Sequence, residues 1–568
     1  MEEAKKQRKI FKKSDIEIWK WMYSICKSER FKVYVIIFAN VVSAVLTILF
    51  ASFSKNIINA ATKDHSFKRV VYYAGCYLII LLVQLMLNLI SRSTTERCKG
   101  KLEWHLKQNM LEIIMKKDYM NITKYHSGEL QNRMFNDVTV ISDGFTTILP
   151  NMLYFVVKLV SAFAYLIVKD KIFAFVFLVG GIGVFLCTQM FRKTLKRLHK
   201  EVQETEGKTR SFIQEALTSL LVIKTFVVEN KIARDANELQ AVNYKSKMKR
   251  RFFGIVANAG ISLVFSLGYV FALAFGAYRL INGLLDFGTV TAMLQLVNQI
   301  QQPFAALSGV MPKYFGMLAS AERLMELEAL PDEEADNKED ICVEEAYGKL
   351  KKINFDNITF GYDRDVILDA TSMSISKGDF VALTGISGIG KSTLLKLLLG
   401  VFKVEGGGIS LELDDGAVPV DYHTRRLFSY VPQGNFLLSG TIRENLKFIN
   451  NEATDEEISE AIRISCADSF ISELPDGLET VIGERGIGLS EGQLQRLAIA
   501  RSLLSKAPIM LLDEATSALD EKTEKRFLTN LKDMRNKTCI IVSHKKASLE
   551  ICNKHVEIID SKIVVKEK

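Results

Sequence analysis

None of the eight cysteines forms a CxxC pair, and none falls in the short connections between the apolar runs described below. That usage supports neither a metal site nor a disulfide framework. Acidic side chains are missing from the middle of every long apolar run. Glycine and proline scarcely occur in the two long polar stretches between runs, which favours helices there over turn-rich loops. Residues 1–30 lack the uninterrupted apolar core and cleavage site of a secretory signal. They carry charge and an amphipathic pattern, Ile16, Ile18, Trp19, Met22 and Ile25, which reads as an interfacial helix.

What is abundant is apolar sequence, 48% of 568 residues, high for a wholly water-soluble chain of more than one domain. Six apolar segments lie in the first 310 residues: Val33–Phe53, Val70–Ile90, Ile148–Val168, Ile172–Met190, Phe253–Tyr278 and Val290–Val310. Each is long enough for a bilayer core, which takes roughly 20 helical residues. Connections after the first, third and fifth are short. Those after the second and fourth are long and rich in Lys and Arg.

Basic loops belong on the cytoplasmic side. Arg192–Lys200, Lys245–Arg251 and the N-terminal run Lys5, Lys6, Arg8, Lys9, Lys12, Lys13 therefore predict cytoplasmic N- and C-termini for an even number of crossings. The net charge of +9 is explained by this topology, with weak attraction to anionic lipid headgroups added; nothing in it calls for nucleic acid. Each long connection predicts two helical arms joined by a bend, reaching roughly 35–40 Å from the bilayer at 1.5 Å per residue.

An acidic stretch, Pro331–Glu345, reads as a linker. From Leu350 the apolar runs shorten to strand length and alternate with helical stretches, predicting an α/β domain. Its strongest signal is Gly385-Ile386-Ser387-Gly388-Ile389-Gly390-Lys391-Ser392. This follows the apolar strand Phe380–Leu383 and opens a helix at Thr393, the context of a phosphate-binding loop. Glycines let backbone N–H groups converge on phosphate and the helix N-terminus adds partial positive charge. Lys391 then reaches the β- and γ-phosphates of ATP, and Ser392 ligates Mg²⁺. Farther on, the apolar strand Ile509–Leu512 ends in Asp513 and Glu514. Asp513 is placed to hold Mg²⁺ through water, and Glu514 to orient the water that attacks the γ-phosphate.

Between these motifs, Leu489-Ser490-Glu491-Gly492-Gln493 resembles the LSGGQ signature of the ATP-binding-cassette (ABC) family. The remaining family pattern falls in order. Tyr362 resembles the aromatic that stacks on adenine, and Gln433 the glutamine that senses Mg²⁺ and meets the membrane domain. Gly483-Glu484-Arg485-Gly486 is similar to a short loop typical of exporters, Ser517-Ala518-Leu519-Asp520 to the D-loop, and His544 to the switch histidine on the γ-phosphate. In the membrane half, Tyr125–Val138 and Glu215–Glu229 look like the two coupling-helix regions.

The resemblance implies a half-transporter of exporter type. Residues 1–30 form an elbow region, 31–325 a six-helix all-α transmembrane domain, 326–349 a linker, and 350–568 an α/β P-loop ATPase domain. It implies an ATP site built from Tyr362, Gly385, Ser387, Gly388, Ile389, Gly390, Lys391, Ser392, Thr393, Gln433 and Asp520, with Mg²⁺ on Ser392, Gln433 and Asp513. Glu514 and His544 are the catalytic pair. Ser490, Glu491, Gly492 and Gln493 act on the ATP of a second half-transporter, with an identical copy favoured and a sister subunit possible. The cycle implied is ATP-driven export by alternating access, from a bacterial plasma membrane; an importer on the same scaffold, or a nucleotide-gated channel or sensor, shares the architecture. Two residues depart from the pattern: Glu491 replaces a glycine, and Ile389 fills a position that is usually small.

For the cargo, a peptide, a lipid or an amphipathic drug-like molecule, the sequence offers two features. Gln295, Asn298, Gln299 and Gln302 share one helical face, reading either as interhelical hydrogen bonding or as cavity lining. Lys158 sits in the middle of the third segment. An intramembrane charge faces a cavity or a partner, so Lys158 predicts attraction for an anionic cargo group, with snorkelling or pairing to a loop carboxylate as the other readings. Gln84 and Asn88 extend the polar set.

Overall fold

The computed structural model describes residues 15–333, 341–362, 365–434, 437–483, 488–534 and 537–567, with some side chains in 179–196 and 301–311, and that of 261, outside the description. The basic run of 5–13, most of the acidic linker, the 484–486 part of the exporter-type loop and the Gln302 side chain fall outside it. The chain divides into two units. One runs up to Ile113 and resumes over Ser127–Ala329; the other takes Ile114–His126 and Leu330–Lys568.

The first unit is all helix. A short α1 (Asp15–Ile25) precedes six long helices: α2 (Arg30–Thr62), α3 (Phe67–Lys116), α4 (Leu149–Lys169), α5 (Lys171–Thr218), α6 (Glu229–Ile281) and α7 (Phe287–Glu328). Among the described residues, the runs Asp15–Thr62, Phe67–Lys116, Ser127–Lys169 and Glu229–Ile281 are long and apolar enough to cross a membrane. The predicted segments 172–190 and 290–310 lie on α5 and α7, where many side chains are outside the description. The short connections are as tight as expected. Asp170 alone separates α4 from α5; its carboxylate accepts from the N–H groups of Ile172 and Phe173 at 3.0 Å each and pairs with Arg279 at 3.2 Å. A cap of this kind satisfies helix N–H groups that have no intrahelical partner.

Both long connections are helical arms. In the first, α3 continues without a break to Lys116, and the return run Ser127–Lys169 contains two π-helical turns, Arg133–Asp137 and Gly144–Ile148. Here the bend differs from the expectation. It lies at residues 117–126, where Asp118 caps the short helix Tyr119–Ile122, so Tyr125–Val138 covers mainly the start of the return helix. In the second arm the break falls inside Glu215–Glu229, at the short helix Leu220–Thr225, whose flanking Val227 has φ +56°.

One core of this unit gathers Ile18 and Met22 of α1, Leu102 and Leu106 of α3, Val138 and Ile141, and Met317 and Leu324 of α7. Beside it, Asp137 is fully buried; Arg323 grips its carboxylate at 2.8 and 2.5 Å and Ser320 donates at 2.9 Å. Nearer the other end, small residues let helices approach: Ala51, Ala162, Ala272 and Ala292 pack among Leu166, Phe173 and Leu296. Helix α2 carries a polar seam. Its Asn40 accepts from Ser91, its Thr47 hydroxyl from Gln84, its Thr47 carbonyl from Gln299, and its Ser54 from Gln295.

The second unit is α/β. A six-stranded sheet has the order β12 (Lys562–Glu567), β11 (Lys554–Ile559), β3, β10, β9, β6, parallel except for the β11–β12 pair, and a four-stranded antiparallel sheet runs β2 (Asp365–Ser376), β1, β4 (Gly406–Leu413), β5 (Gly416–Pro419). The elements that matter for the site are β1 (Leu350–Tyr362), β3 (Phe380–Thr384), β6 (Phe428–Val431), β9 (Ile509–Asp513), β10 (Thr538–Val542), α8 (Lys391–Leu398), α9 (Glu491–Leu503) and α10 (Glu521–Asp533). Strands β9 and β10 are buried along their whole length, as expected of central strands covered by helices on both faces. The segment Ile114–His126 belongs to this unit. Its backbone exchanges hydrogen bonds with the start of the linker, Asp118 N to Pro331 O and Glu333 N to Lys116 O, and Lys117 pairs with Asp332 at 2.6 Å. Tyr119 lies 6.0 Å, ring to ring, from Phe402.

Candidate nucleotide site

Strands β3, β10, β9 and β6 are neighbours in that order, so their carboxyl ends bring four sequence-distant segments to one edge of the sheet. Such an edge is where open α/β sheets bind ligands. The Gly385–Gly390 turn follows β3, His544 follows β10, Glu514 follows β9 and Gln433 follows β6. The fold thus assembles most of the predicted ATP-site residues in one place.

In the turn, Gly388 and Gly390 have φ of +82° and +116°, backbone that side chains rarely adopt. A Cβ on Gly390 would also stand 2.3 Å from Ile367. Lys391, at the first position of α8, folds its ammonium back onto the carbonyls of Gly385 (2.8 Å) and Ile386 (3.0 Å). Its charge is thus held beside the glycine-rich turn, which suits an anion. Ile389 turns its side chain toward the core cluster of the unit, which explains why a bulky residue fits there without filling the phosphate side. Tyr362 ends β1; its hydroxyl meets that of Thr393 at 3.1 Å and its ring stands edge-on to Phe360 and Phe402, leaving it 38% exposed for stacking.

The two carboxylates at the end of β9 have different surroundings. Asp513 is 1% exposed. Ser392 donates to one of its oxygens at 3.0 Å and Tyr430 to the other at 3.1 Å. Burial pushes its carboxyl above the ordinary range, and the two hydroxyls pull part of the way back. Glu514 is more open. It sits at φ +52°, an uncommon conformation for a side-chain-bearing residue, and accepts from the Gln433 amide at 2.7 Å. Ser392 and Asp513, hydrogen-bonded to each other, are hard oxygen donors of the kind that suits Mg²⁺ and its water shell, and Gln433 stands at the same sheet edge. His544 is exposed beside them.

The signature residues stand elsewhere. Ser490 caps α9 and closes a reciprocal box with Gln493; Glu491 is the first helical residue and is exposed. A Cβ on Gly492 would lie 2.9 Å from the Ala518 carbonyl. Among the described residues no hydrogen bond joins Ser490–Gln493 to the phosphate loop. Asp520 caps α10, and hydrogen bonding to Thr523 holds its carboxyl below the usual range. Two residues not singled out from the sequence shape the site. Tyr430 touches Asp513, and Gln495 ties the signature helix to the D-loop by donating to Ser517 Oγ (2.8 Å) and accepting from Ala518 N (3.0 Å).

In the membrane unit the polar candidates separate. Gln295 and Gln299 bond to α2, the interhelical reading, whereas Asn88 and Asn298 are exposed. Lys158 is 3% exposed, with its ammonium 5.7 Å from the Tyr154 ring centre. A side chain lining a space between two copies would be exposed in one chain, so the expected cavity-facing lysine is instead packed within its own bundle.

Residues 33–304 match the family described as ABC transporter transmembrane region, and residues 368–517 the family described as ABC transporter. A multidrug export ATP-binding/permease protein by name, YgaD of Bacillus subtilis, is 30% identical over 468 residues, 80% of this chain and 79% of that one. A Staphylococcus aureus relative with the same naming is 28% identical over 522 residues, 89% and 88%. A solved bacterial Atm1-family ABC exporter with ATP bound shares the fold, with a TM-score of 0.80, 23% identity and 94% of each chain covered. The chain belongs to the ABC transporters. It is of the exporter-type architecture, an integral-membrane helical region fused to an ATP-binding domain.

Proposed function

We propose that this protein exports an amphipathic, drug-like molecule, peptide or lipid across a bacterial plasma membrane, driven by ATP hydrolysis in a dimer of half-transporters. The observation that carries the reading is the convergence of Lys391, Ser392, Asp513, Glu514, Gln433 and His544 at one sheet edge, in a chain that also holds a six-helix membrane unit. The names of the relatives support export as the direction.

In this reading Lys391 and the Gly385–Gly390 amides bind the phosphates, Tyr362 the adenine, and Glu514 accepts hydrogen bonds from the attacking water while His544 contacts the γ-phosphate. Ser392, Asp513 and Gln433 would hold Mg²⁺, which would supply charge neutralisation on the phosphates. Because Ser490–Gln493 stand apart from the phosphate loop of their own chain, a second chain completes each site. Closure on ATP drives the cycle through ATP's differential affinity for the closed state. The most apolar stretch of α3 has no buried residue within the chain, which leaves it for lipid or the second copy. Asn88 and Asn298, rather than Lys158, are the polar side chains open to a shared cargo cavity.

Pairing with a sister subunit is the second reading. Glu491 places an exposed carboxylate at the N-terminus of α9, where the helix would otherwise offer its positive end to phosphate. A sister subunit with an uncharged signature would relieve the site built on this chain's Lys391 and Glu514.

The test is ATP turnover and cargo uptake by inverted vesicles carrying the chain alone, beside Glu514→Gln. Turnover lost in that variant, with ATP-dependent uptake of an amphipathic dye, is the expected result. Turnover without uptake of any offered cargo would argue for a sensor or channel. ATP binding with no turnover in either protein would favour the mixed dimer.

A further inference from the structure

Asp513 is gripped from two sides. Ser392 reaches one carboxylate oxygen from the first turn of α8, and Tyr430 reaches the other from β6. Tyr430 belongs to none of the sequence motifs, yet its placement is rigid. Strand β6 lies parallel to β9 with Tyr430 opposite Leu511, and its ring packs against the core cluster that includes Leu511 and Leu427. Register and packing together aim the phenol at the strand end.

A carboxylate this deeply buried needs hydrogen-bond donors to remain charged. A serine that ligates Mg²⁺ through its oxygen keeps its proton for Asp513, so the Ser392 contact is compatible with a bound metal. The other oxygen depends on Tyr430. Mg²⁺ demands near-ideal octahedral geometry and keeps several waters, so rotation of the carboxylate plane would misplace those waters. Groups that orient a metal's carboxylate from outside typically change metal affinity by about 10- to 100-fold. A further fact supports the placement of the phenol. Three residues along, Gln433 holds Glu514, so β6 and the turn after it engage both terminal carboxylates of β9.

We propose that Tyr430 is a positioning residue of the Mg²⁺ site, its hydroxyl fixing the orientation of Asp513. This rests on Asp513 being the metal carboxylate, and the experiment separates the two claims. Mn²⁺ serves as the probe, its binding to the full-length, ATP-loaded protein in nanodiscs read by electron paramagnetic resonance, and ATP affinity is measured separately in EDTA.

Tyr430→Phe keeps the ring and removes only the donor. It is expected to leave ATP affinity in EDTA unchanged and to weaken Mn²⁺ roughly tenfold or more. The Mg²⁺ concentration for half-maximal turnover should rise by the same factor, and turnover should recover at high Mg²⁺. An unchanged Mn²⁺ affinity overturns the proposal. So does loss of ATP binding in EDTA, because Tyr430 would then be shaping the phosphate loop in general. Asp513→Asn is the control for the underlying reading: if it fails to weaken Mn²⁺, the metal carboxylate itself has been misassigned.

Discussion

Gln433 donates its side-chain amide to the Glu514 carboxylate across 2.7 Å. The turn after β6 and the residue after β9 are thereby joined, although 81 positions separate Gln433 from Glu514. While the bond is made, one lone pair of a Glu514 oxygen is engaged.

Glu514→Gln keeps the shape of the side chain and can still bond Gln433, but it cannot act as a base. General-base groups contribute about 10²- to 10⁴-fold, so turnover should fall by that order while ATP affinity stays within twofold or so. A phosphate-release assay beside a nucleotide-binding titration checks both. Retained turnover would remove Glu514 from its assigned role.

Glu491→Gly lifts an exposed carboxylate from the first turn of α9. Charge at a helix terminus is worth about 0.3–1 kcal/mol, so ATP turnover by the chain alone should rise roughly two- to fivefold. A fall would mean that the carboxylate makes a useful contact in the assembled site.

Arg323→Ala strips two of the donors from Asp137, whose side chain is 1% exposed, leaving Ser320. Breaking a buried pair costs about 3–5 kcal/mol; because Arg323 is itself 43% exposed, the lower end of that range is expected. The thermal midpoint of the whole protein should drop while ATP affinity in EDTA is unaffected, since the pair sits wholly in the membrane unit. A midpoint equal to wild type would show that water replaces the guanidinium.

Asp513 predicts a pH effect. Its carboxyl lies above the ordinary 3.8 because burial disfavours the charge. The folded state therefore binds more protons than the unfolded one between 3.8 and the raised value, and stability falls as pH rises through that interval. Above it the full cost persists. Asp513→Asn should raise the melting temperature of nucleotide-free protein at about pH 7, and the difference should narrow as pH drops through the interval. An Asn variant that melts lower at neutral pH would mean that the lost hydrogen bonding outweighs the relieved desolvation.

The fold was legible from periodicity and length. Six apolar segments appear as six long helices, because a bilayer core demands about 20 satisfied backbone positions whatever the neighbours are. The phosphate loop was legible because its glycines answer a local backbone need, visible here in the positive φ of Gly388 and Gly390. The bend of the first arm was misjudged by several residues. Its position depends on Asp118 capping Tyr119–Ile122 and on backbone pairing with Pro331 and Glu333, contacts some 200 residues apart in sequence that no local pattern announces.

The amino-acid order by itself determined the membrane half, the α/β half and the glycine-rich turn after β3, since hydropathy and glycine placement act within a few turns of chain. Only the tertiary structure decided that Lys158 is packed inside its bundle and that Gln295 and Gln299 bond to α2. It also decided that Tyr430 shares Asp513 with Ser392. The physical reason is that the side on which a buried polar group finds its partner is set by the packing of distant helices and the register of parallel strands.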